Sequence, residues 1–387
     1  MNMVGFMRPV LVFFIAILIA LPMFSCGEDS STGPGDGGTT GTTYLVNPDG
    51  TGDLPTIQAA IDSASNGDII LLADGVYTGT GNRDVDFHGK GVTVKSISGD
   101  PELCIIDCEG NWIKMHRGFV FQSDEGPSSK LQGITIKNGW ANDDGAIMID
   151  GDSSPVIDNC ILRNNAADTT GNGYGGGIYC YGSPTITNCQ IIANAAGNRG
   201  GGIYSGENAS ISHCSILGNA ASDGGGIHCR QGTNVSFCLV AYNTAITGYQ
   251  YGGGISCRYS QGTISNCTVV GNKAPQSAGI AFYGDGPLVR SCIVANNIDG
   301  GGLGWGYGGA NSNPTIECCD IWGNIGDYGD EIPDAMTDGG GNFSLDPLFC
   351  DPASDDYTLR QGSPCLSGNH PDGASCGLIG CMEQGCL

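Results

Sequence analysis

The stretch "GYGGGIYCYGSPTITNC", residues 173–189, decides the fold, because its parts return at regular intervals. Its first half comes back as "NRGGGIYSGE" from 198, "SDGGGIHCRQ" from 222 and "QYGGGISCRYS" from 250. Its second half belongs to a phrase C-x-x-x-x-N that pairs Cys160 with Asn165, Cys189 with Asn194, Cys214 with Asn219 and Cys238 with Asn243. The phrase continues as Cys267 with Asn272, Cys292 with Asn297 and Cys319 with Asn324, and an earlier copy has Gly133 and Asn138. Successive cysteines are 29, 25, 24, 29, 25 and 27 residues apart. A period of this length is the mark of a repeat architecture, in which each copy is one structural unit.

Within each copy a β-branched residue stands three places before the Cys: Ile157, Ile186, Ile211, Val235, Ile264, Val289, Ile316. An aliphatic residue follows two places after it: Leu162, Ile191, Ile216, Val240, Val269, Val294, Ile321. Alternation at i and i+2 is the strand period. Asn159, Asn188 and Asn266 precede their cysteines, and Asn tolerates left-handed backbone, so a tight bend is expected there. The Gly triplet supplies a second bend, and segments such as Ile178–Cys180 alternate again. Three short strands and three bends in about 26 residues cannot bury an apolar face alone. Stacking each lap on the last solves this and sets like residues in columns about 4.8 Å apart. The expected fold is all-β, a parallel β-helix.

With these columns the chain resembles the right-handed parallel β-helix proteins of the pectin lyase-like superfamily, and the resemblance covers most of the sequence. The segment "NPDGTGDLPTIQAAIDSASNGDIILLADGVYTGT" is similar to the start of such domains. Ile57, Ala60, Ile61 and Ala64 share a helical face and Pro55 suits a helix's first turn, so a helix capping the open core is expected, then a strand over 68–72. The paired "GGGIY" and "NxxA" phrases are similar to polymorphic outer-membrane adhesins, and "DPLFCDPASDDYTLRQGSPC" resembles a last rung. Regular repeats are expected over 131–325 and a C-terminal cap over 326–387, within a domain spanning 44–387.

The N-terminus reads as an export signal. Arg8 precedes the 15-residue apolar run "VLVFFIAILIALPMF", short for a membrane span of about 20 residues and suited to a signal-peptide core. The expected signal is 1–25. "PMFSCG" resembles a bacterial lipoprotein signal with Cys26 as the acylated residue, although Met23 stands where Leu is usual. Residues 26–43 are Gly/Ser/Thr-rich and read as a flexible tether. The expected location is the bacterial outer membrane or cell surface, or the secreted fraction. A membrane contact is expected through the lipid alone.

Asp and Glu number 39 against 15 Lys and Arg, for a formal charge of −24. Nucleic acid is excluded as a partner, since phosphate binding needs basic surface. Of the 19 cysteines, the seven in the repeat column and Cys180, Cys229 and Cys257 are expected as buried structural thiols. Registered parallel side chains lie at or beyond the preferred disulfide Cβ separation. Cys104 with Cys108 and Cys350 with Cys365 are the better disulfide candidates, and Cys376, Cys381 and Cys386 crowd the tail.

If Ile178 and Cys180 point inward, Tyr179 and Tyr181 point out. One outward column is then Met148, Tyr179, Tyr204, His228, Ser256, Ala281 and Gly304. The other is Asp150, Tyr181, Gly206, Arg230, Arg258, Tyr283 and Gly306. In pectin lyase-like proteins this face lines the polysaccharide groove, so the resemblance points to Tyr179, Tyr181, Tyr204, His228, Arg230, Arg258 and Tyr283 as ligand-binding residues. Aromatic faces stack on sugar rings and Arg forks hold carboxylates. A catalytic set is not evident. Asp143, Asp144, Asp150 and Asp152 are calcium ligands by type, but three rungs, roughly 15 Å, separate them from Arg230. No resident cofactor is expected, calcium remaining open. The favoured reading is a non-catalytic surface protein binding glycan or another surface. The alternatives are a polysaccharide lyase or glycoside hydrolase, and an architectural spacer.

Overall fold

A computed structural model describes residues 41–386 apart from 247–250, 307–312, 327–328 and 335. The expected signal peptide, Cys26 and nearly all of the tether lie outside the described residues. From Thr43 onward the chain coils into stacked laps. Strands of successive laps pair in parallel and build sheets of twelve, ten, seven and nine strands. A lap runs, for example, through Val156–Asp158, Ile161–Arg163, Ala166–Ala167 and Ile178–Cys180, one strand in each sheet. Three strands per lap were expected. The fourth, only two residues long, follows the repeat Asn and pairs with its neighbours as Ala166↔Ala195 and Ala195↔Ala220. Two residues are too few to display an alternation.

The predicted inward columns form the core. Ile157, Ile186, Ile211, Val235, Ile264, Val289 and Ile316 are buried, as are Leu162 to Ile321 in the next sheet and Ile178, Ile203, Ile227, Ile255 and Ile280 opposite. Asn159, Asn188 and Asn266 take φ of 49°, 53° and 49°, and His213, Phe237, Ser291 and Cys318 adopt the same left-handed state at the equivalent place. Left-handed backbone costs a residue with a Cβ roughly 1–2 kcal/mol. The stack therefore imposes this bend whatever the residue. A second left-handed residue stands before each Asn that follows a column Cys, as at Asn164, Ala193, Gly218 and Tyr242, and Asn138 falls at this place rather than one later.

Those asparagines form a buried ladder. Asn165 Nδ2 donates to Asn194 Oδ1, Asn194 to Asn219, Asn219 to Asn243, Asn243 to Asn272 and Asn272 to Asn297, each at 3.0 Å, and Asn297 to Asn324 at 2.9 Å. Each Nδ2 also donates to a carbonyl of the lap behind, as Asn219 does to Ile191 at 2.8 Å. Each Oδ1 from Asn194 onward also accepts the preceding asparagine's backbone N–H, as from Asn194 N to Asn219 at 2.9 Å, and Asn165 Oδ1 accepts from Gly139 N at 2.8 Å. The spacing of these asparagines marks the repeat but carries no sign of their bonding to one another.

The seven column cysteines and Cys180, Cys229 and Cys257 are free and buried. Burial pushes the thiols of Cys189, Cys238, Cys267 and Cys319 well up, and their sulfurs lie against carbonyls, as Cys189 Sγ does against Thr187 O at 3.0 Å. The disulfides are Cys318–Cys376 and Cys350–Cys386. Both proposed pairs are corrected. Cys104 and Cys108 are free because four residues of extended chain span about 13 Å, beyond disulfide reach. Cys365 is free because its sulfur is buried against Asp320.

At the N-terminal end a helix spans Ile57–Ser63 with Thr56 as its cap, and Ile57, Ala60 and Ile61 enter the main core. Pro55 stands just outside the helix rather than in its first turn. Strand Thr43–Val46 precedes the expected one and pairs with Ile69–Leu72 at the sheet edge. The tail departs from the expected last rung. Phe349–Asp351, Asp356–Arg360 and Gln384–Cys386 make a separate three-stranded sheet. Phe349, Tyr357, Leu359, Cys365 and Ile379 pack on Leu239, Ala241, Val270, Ile293 and Ala295, which are outward residues of the ten-stranded sheet. Residues 349–386 lie along the side of the laps, whereas Met336 packs on the main core and Thr337–Gly340 extend the twelve-stranded sheet past Thr315–Glu317. Asn266 Nδ2 donating to Leu378 O at 2.8 Å and Gly380 N to Ser291 O at 2.8 Å tie the tail down.

At this joint Asp320 is fully buried; it accepts from Leu345 N at 3.1 Å and Cys365 Sγ at 3.2 Å. Burial, helped by Asp330 and Asp346, raises its carboxyl to about 7. The folded state thus holds a proton that the unfolded chain releases near pH 4. Stability from this group is complete at low pH and declines as pH rises toward 7, by about 4 kcal/mol at most. Thermal melts should show a higher midpoint at pH 5 than at pH 7.5, and Asp320→Asn should remove part of that difference. An unchanged pH dependence in Asp320→Asn would contradict this account of the joint.

Candidate binding face

The outward columns align as expected. Met148 pairs with Tyr179, Tyr179 with Tyr204, Tyr204 with His228, His228 with Ser256, Ser256 with Ala281 and Ala281 with Gly304. Arg230 pairs with Arg258 and Arg258 with Tyr283. These strands belong to the nine-stranded sheet.

The solvent exposure expected for this strip is only partly found. The first Gly of each triplet is left-handed, with φ of 59°, 65°, 68° and 58° at Gly175, Gly200, Gly224 and Gly252. That turns the chain back over the strand it precedes. A Cβ on Gly175 would sit 2.7 Å from Tyr179 Cα, and one on Gly224 would sit 3.0 Å from His228 Cα. The residues before these glycines, Tyr174, Arg199, Asp223 and Tyr251, bridge in their own column, which Gln276 before Ser277 continues, and roof the strand face. Tyr204 and His228 are therefore only 2 % and 0 % exposed. They do not offer contact surface. They stack, Tyr179 on Tyr204 at 5.5 Å and Tyr204 on His228 at 5.4 Å between ring centroids, and support the groups above.

Beneath the roof, Asp223 Oδ2 lies 3.4 Å from Arg199 Nε and 3.5 Å from His228 Nδ1. Burial opposes ionisation of Asp223, but His228, Ser256 and Arg199 outweigh it and hold the carboxyl below its usual value. Burial lowers His228, favouring neutral imidazole. The partnership of Asp223 with His228, five residues on, is not legible in the sequence because only the folded-back triplet creates it.

Tyr179, Tyr181, Arg230, Arg258 and Tyr283 remain half-buried at the surface. Arg230 Nη1 reaches Tyr181 and Tyr204 hydroxyls at 3.4 and 3.5 Å. The Arg258 guanidinium lies 5.0 Å from the Tyr283 ring centroid and 5.8 Å from that of Tyr259. Neither arginine pairs with a carboxylate among the described residues. Tyr181 lies over Gly206 and Tyr283 over Gly306, where a Cβ would strike the rings at 2.9 and 1.9 Å. The glycines make room for flat rings along the face.

Tyr259 joins this group and was missed. "CRYSQG" is two residues longer than "CRQG" one lap earlier, and the register slips there, with Gln231 opposite Ser260. This bulge leaves Tyr259 left-handed at φ 52° and half exposed. Bulges of this kind re-aim side chains next to functional sites.

The acidic candidates flank the strand Ile147–Ile149 of this sheet, Asp143 and Asp144 before it and Asp150 and Asp152 after it. Asp144 is buried and paired with Arg117 Nη2 at 2.6 Å. Burial outweighs that cation and raises Asp144 to about 6. Among the described residues no three His, Cys, Asp or Glu side chains gather closely enough to hold a metal ion.

Residues 69–237 match the family described as the right handed beta helix region. Among solved structures the chain is similar to a rhamnogalacturonan lyase, at 13 % identity and a TM-score of 0.38, over 80 % of this chain and 91 % of that one. No curated protein matches the chain. Repeat columns, stacked parallel sheets and the match over residues 69–237 together show that the chain folds as a right-handed parallel β-helix.

Proposed function

We propose that the protein is exported, displayed at the cell surface through an acylated Cys26, and binds glycan without chemical turnover on the outer face of the nine-stranded sheet. One observation carries this reading: Arg230 and Arg258 stand side by side on neighbouring strands with no carboxylate partner among the described residues. Like charges directly opposite each other in a sheet are unfavourable, and a bound anionic or polyhydroxylated ligand relieves them. Tyr181, Tyr283 and Tyr259 supply flat faces around the pair, and Tyr179 extends them by one lap. Tyr204 and His228 act as the floor. Binding is favoured over turnover because the groups near this face able to move protons near neutrality, His228 and Asp144, are 0 % and 3 % exposed, while arginine resists deprotonation.

The test is a glycan array probed with the whole protein. Binding to carbohydrate is expected. Arg230→Ala and Arg258→Ala should each weaken it about 10- to 100-fold, the range for a lost charge-assisted bond. The same incubations are followed for unsaturated or reducing-end products. Failure to bind any glycan overturns the proposal and leaves the spacer reading. Product release overturns the non-catalytic part.

A further inference from the structure

Away from this face, residues 110–116, "GNWIKMH", form a protruding turn in the third lap, between Cys104–Asp107 and Phe119–Phe121. Its two arms are anchored against the edge of the seven-stranded sheet. Gly110 N donates to Asn138 O at 2.8 Å, and His116 and Trp140 exchange backbone bonds at 2.8 and 2.7 Å. The tip is closed internally. Asn111 N donates to Lys114 O at 2.8 Å, and Asn111 Oδ1 accepts the N–H groups of Ile113 and Lys114, each at 3.0 Å. This bonding sets Trp112 and Ile113 at the apex, 73 % and 68 % exposed, with Met115 beside them at 46 %. A pinned turn that holds a Trp and an Ile in water gains nothing for the fold from their exposure.

We propose that this tip is a wedge that inserts into a phospholipid bilayer. Trp favours the boundary between headgroups and acyl chains, and Lys reaches back from it to phosphate. The surroundings of the tip have that chemistry. Below Ile113 a cavity of about 330 Å³ is lined by Arg83, Glu109, Asn111, Ile113 and Lys114. Arg83 and Lys114 offer cations to a phosphate, and Glu109, bridged to Arg83, offers a carboxylate to the ammonium of a zwitterionic headgroup. A protein partner would call for a broader apolar face; three apolar side chains on a narrow tip, with Lys114 among them and the Arg83–Glu109 pair beneath, suit lipid.

Position in the chain agrees with this. The first strand, Thr43–Val46, is the edge of the twelve-stranded sheet, and the loop lies two strand spacings further in, about 10 Å along the stack. Cys26 lies ahead of that edge, and the 14 residues between Cys26 and Gly41 reach at most about 50 Å. The inference rests on the membrane-display part of the proposal above, while its readout is independent of any glycan.

The full chain is reconstituted into phosphatidylcholine–phosphatidylethanolamine vesicles with brominated acyl chains, beside a Trp112→Phe variant. The difference between their emissions isolates Trp112 from Trp140, Trp305 and Trp322. Blue-shifted Trp112 emission, quenched by shallow bromines, is expected. The Ile113→Asp/Met115→Asp variant should return it to unquenched, water-like emission. Water-like emission in the unsubstituted protein overturns the proposal, as does quenching that the Asp variant leaves intact. A shift that follows protein concentration instead of lipid assigns the tip to a second copy of the chain and equally overturns it. Loss of glycan binding with Trp112 still quenched, or the reverse, separates the two proposals.

Discussion

Asn219→Ala is expected to lower the stability of the β-helix by about 5 kcal/mol and its melting midpoint by on the order of 10–20 °C. Asn219 lies in the middle of the buried ladder and is 0 % exposed. Truncation removes its donation to Ile191 O and to Asn243 Oδ1. It also removes the acceptor used by Asn194 N and Asn194 Nδ2. Two backbone groups and one amide edge are left buried and unpaired, and each such group costs about 1–3 kcal/mol. Asn324→Ala is the matched control. It ends the ladder at 8 % exposure, where water can enter and Asp330 already bonds to Asn324 N at 2.7 Å, so its loss should be under half as large. Circular dichroism melts of the two variants measure the difference. Equal losses at both positions would contradict the ladder's role.

The Gly triplets carry the second large expectation. Gly225→Val should prevent folding, a cost beyond the 4–5 kcal/mol that marks exceptional substitutions. A Cβ at Gly225 would meet Thr244 O at 2.5 Å and Gly253 O at 2.6 Å. Both atoms are backbone and no rotamer avoids them. The approach is built in, because Gly225 N donates to Gly252 O at 3.0 Å and Gly225 O accepts from Gly202 N at 3.2 Å. Gly218 offers the contrast. It is left-handed at φ 61° but has nothing within 4 Å of a Cβ, so Gly218→Ala should cost only about 1 kcal/mol. Soluble yield and urea unfolding report both. A folded Gly225→Val protein of near-native stability would show that the laps are not packed as described.

The same contrast explains which features could be read in advance. The inward columns were legible because Ile and Val at i and i+2 around each Cys obey a rule that needs only the strand's own geometry. Tyr204 and His228 were correctly placed on the outer side of the strand, but alternation says nothing about a chain segment folded over that side. The roof exists because Gly200 and Gly224 turn back at positive φ, and only coordinates reveal where the turn lands. The tail left a fainter trace. Outward positions of the ten-stranded sheet change from Gln190 and Ser215 to Leu239, and from Arg163 to Leu217, Ala241 and Val270. Such a run of apolar residues on a supposedly wet face signals that something covers it. The pairings of Cys318 with Cys376 and Cys350 with Cys386 follow from that docking and could not be read from spacing.

The central claim is that successive laps lie directly above one another in register. Outward positions Gln132, Asp158, Thr187, Ser212, Ser236, Ser265 and Arg290 form one such column. Spin labels carried on noncanonical residues, which leave the buried thiols untouched, can be placed in pairs at Gln132 with Ser236 and at Gln132 with Arg290. Four and six strand spacings predict backbone separations of about 19 and 29 Å, growing linearly with lap number although 104 and 158 residues of chain intervene. Dipolar distances that fail to increase from the first pair to the second, or that scatter without a defined maximum, would contradict the stacked architecture and every assignment built on its columns.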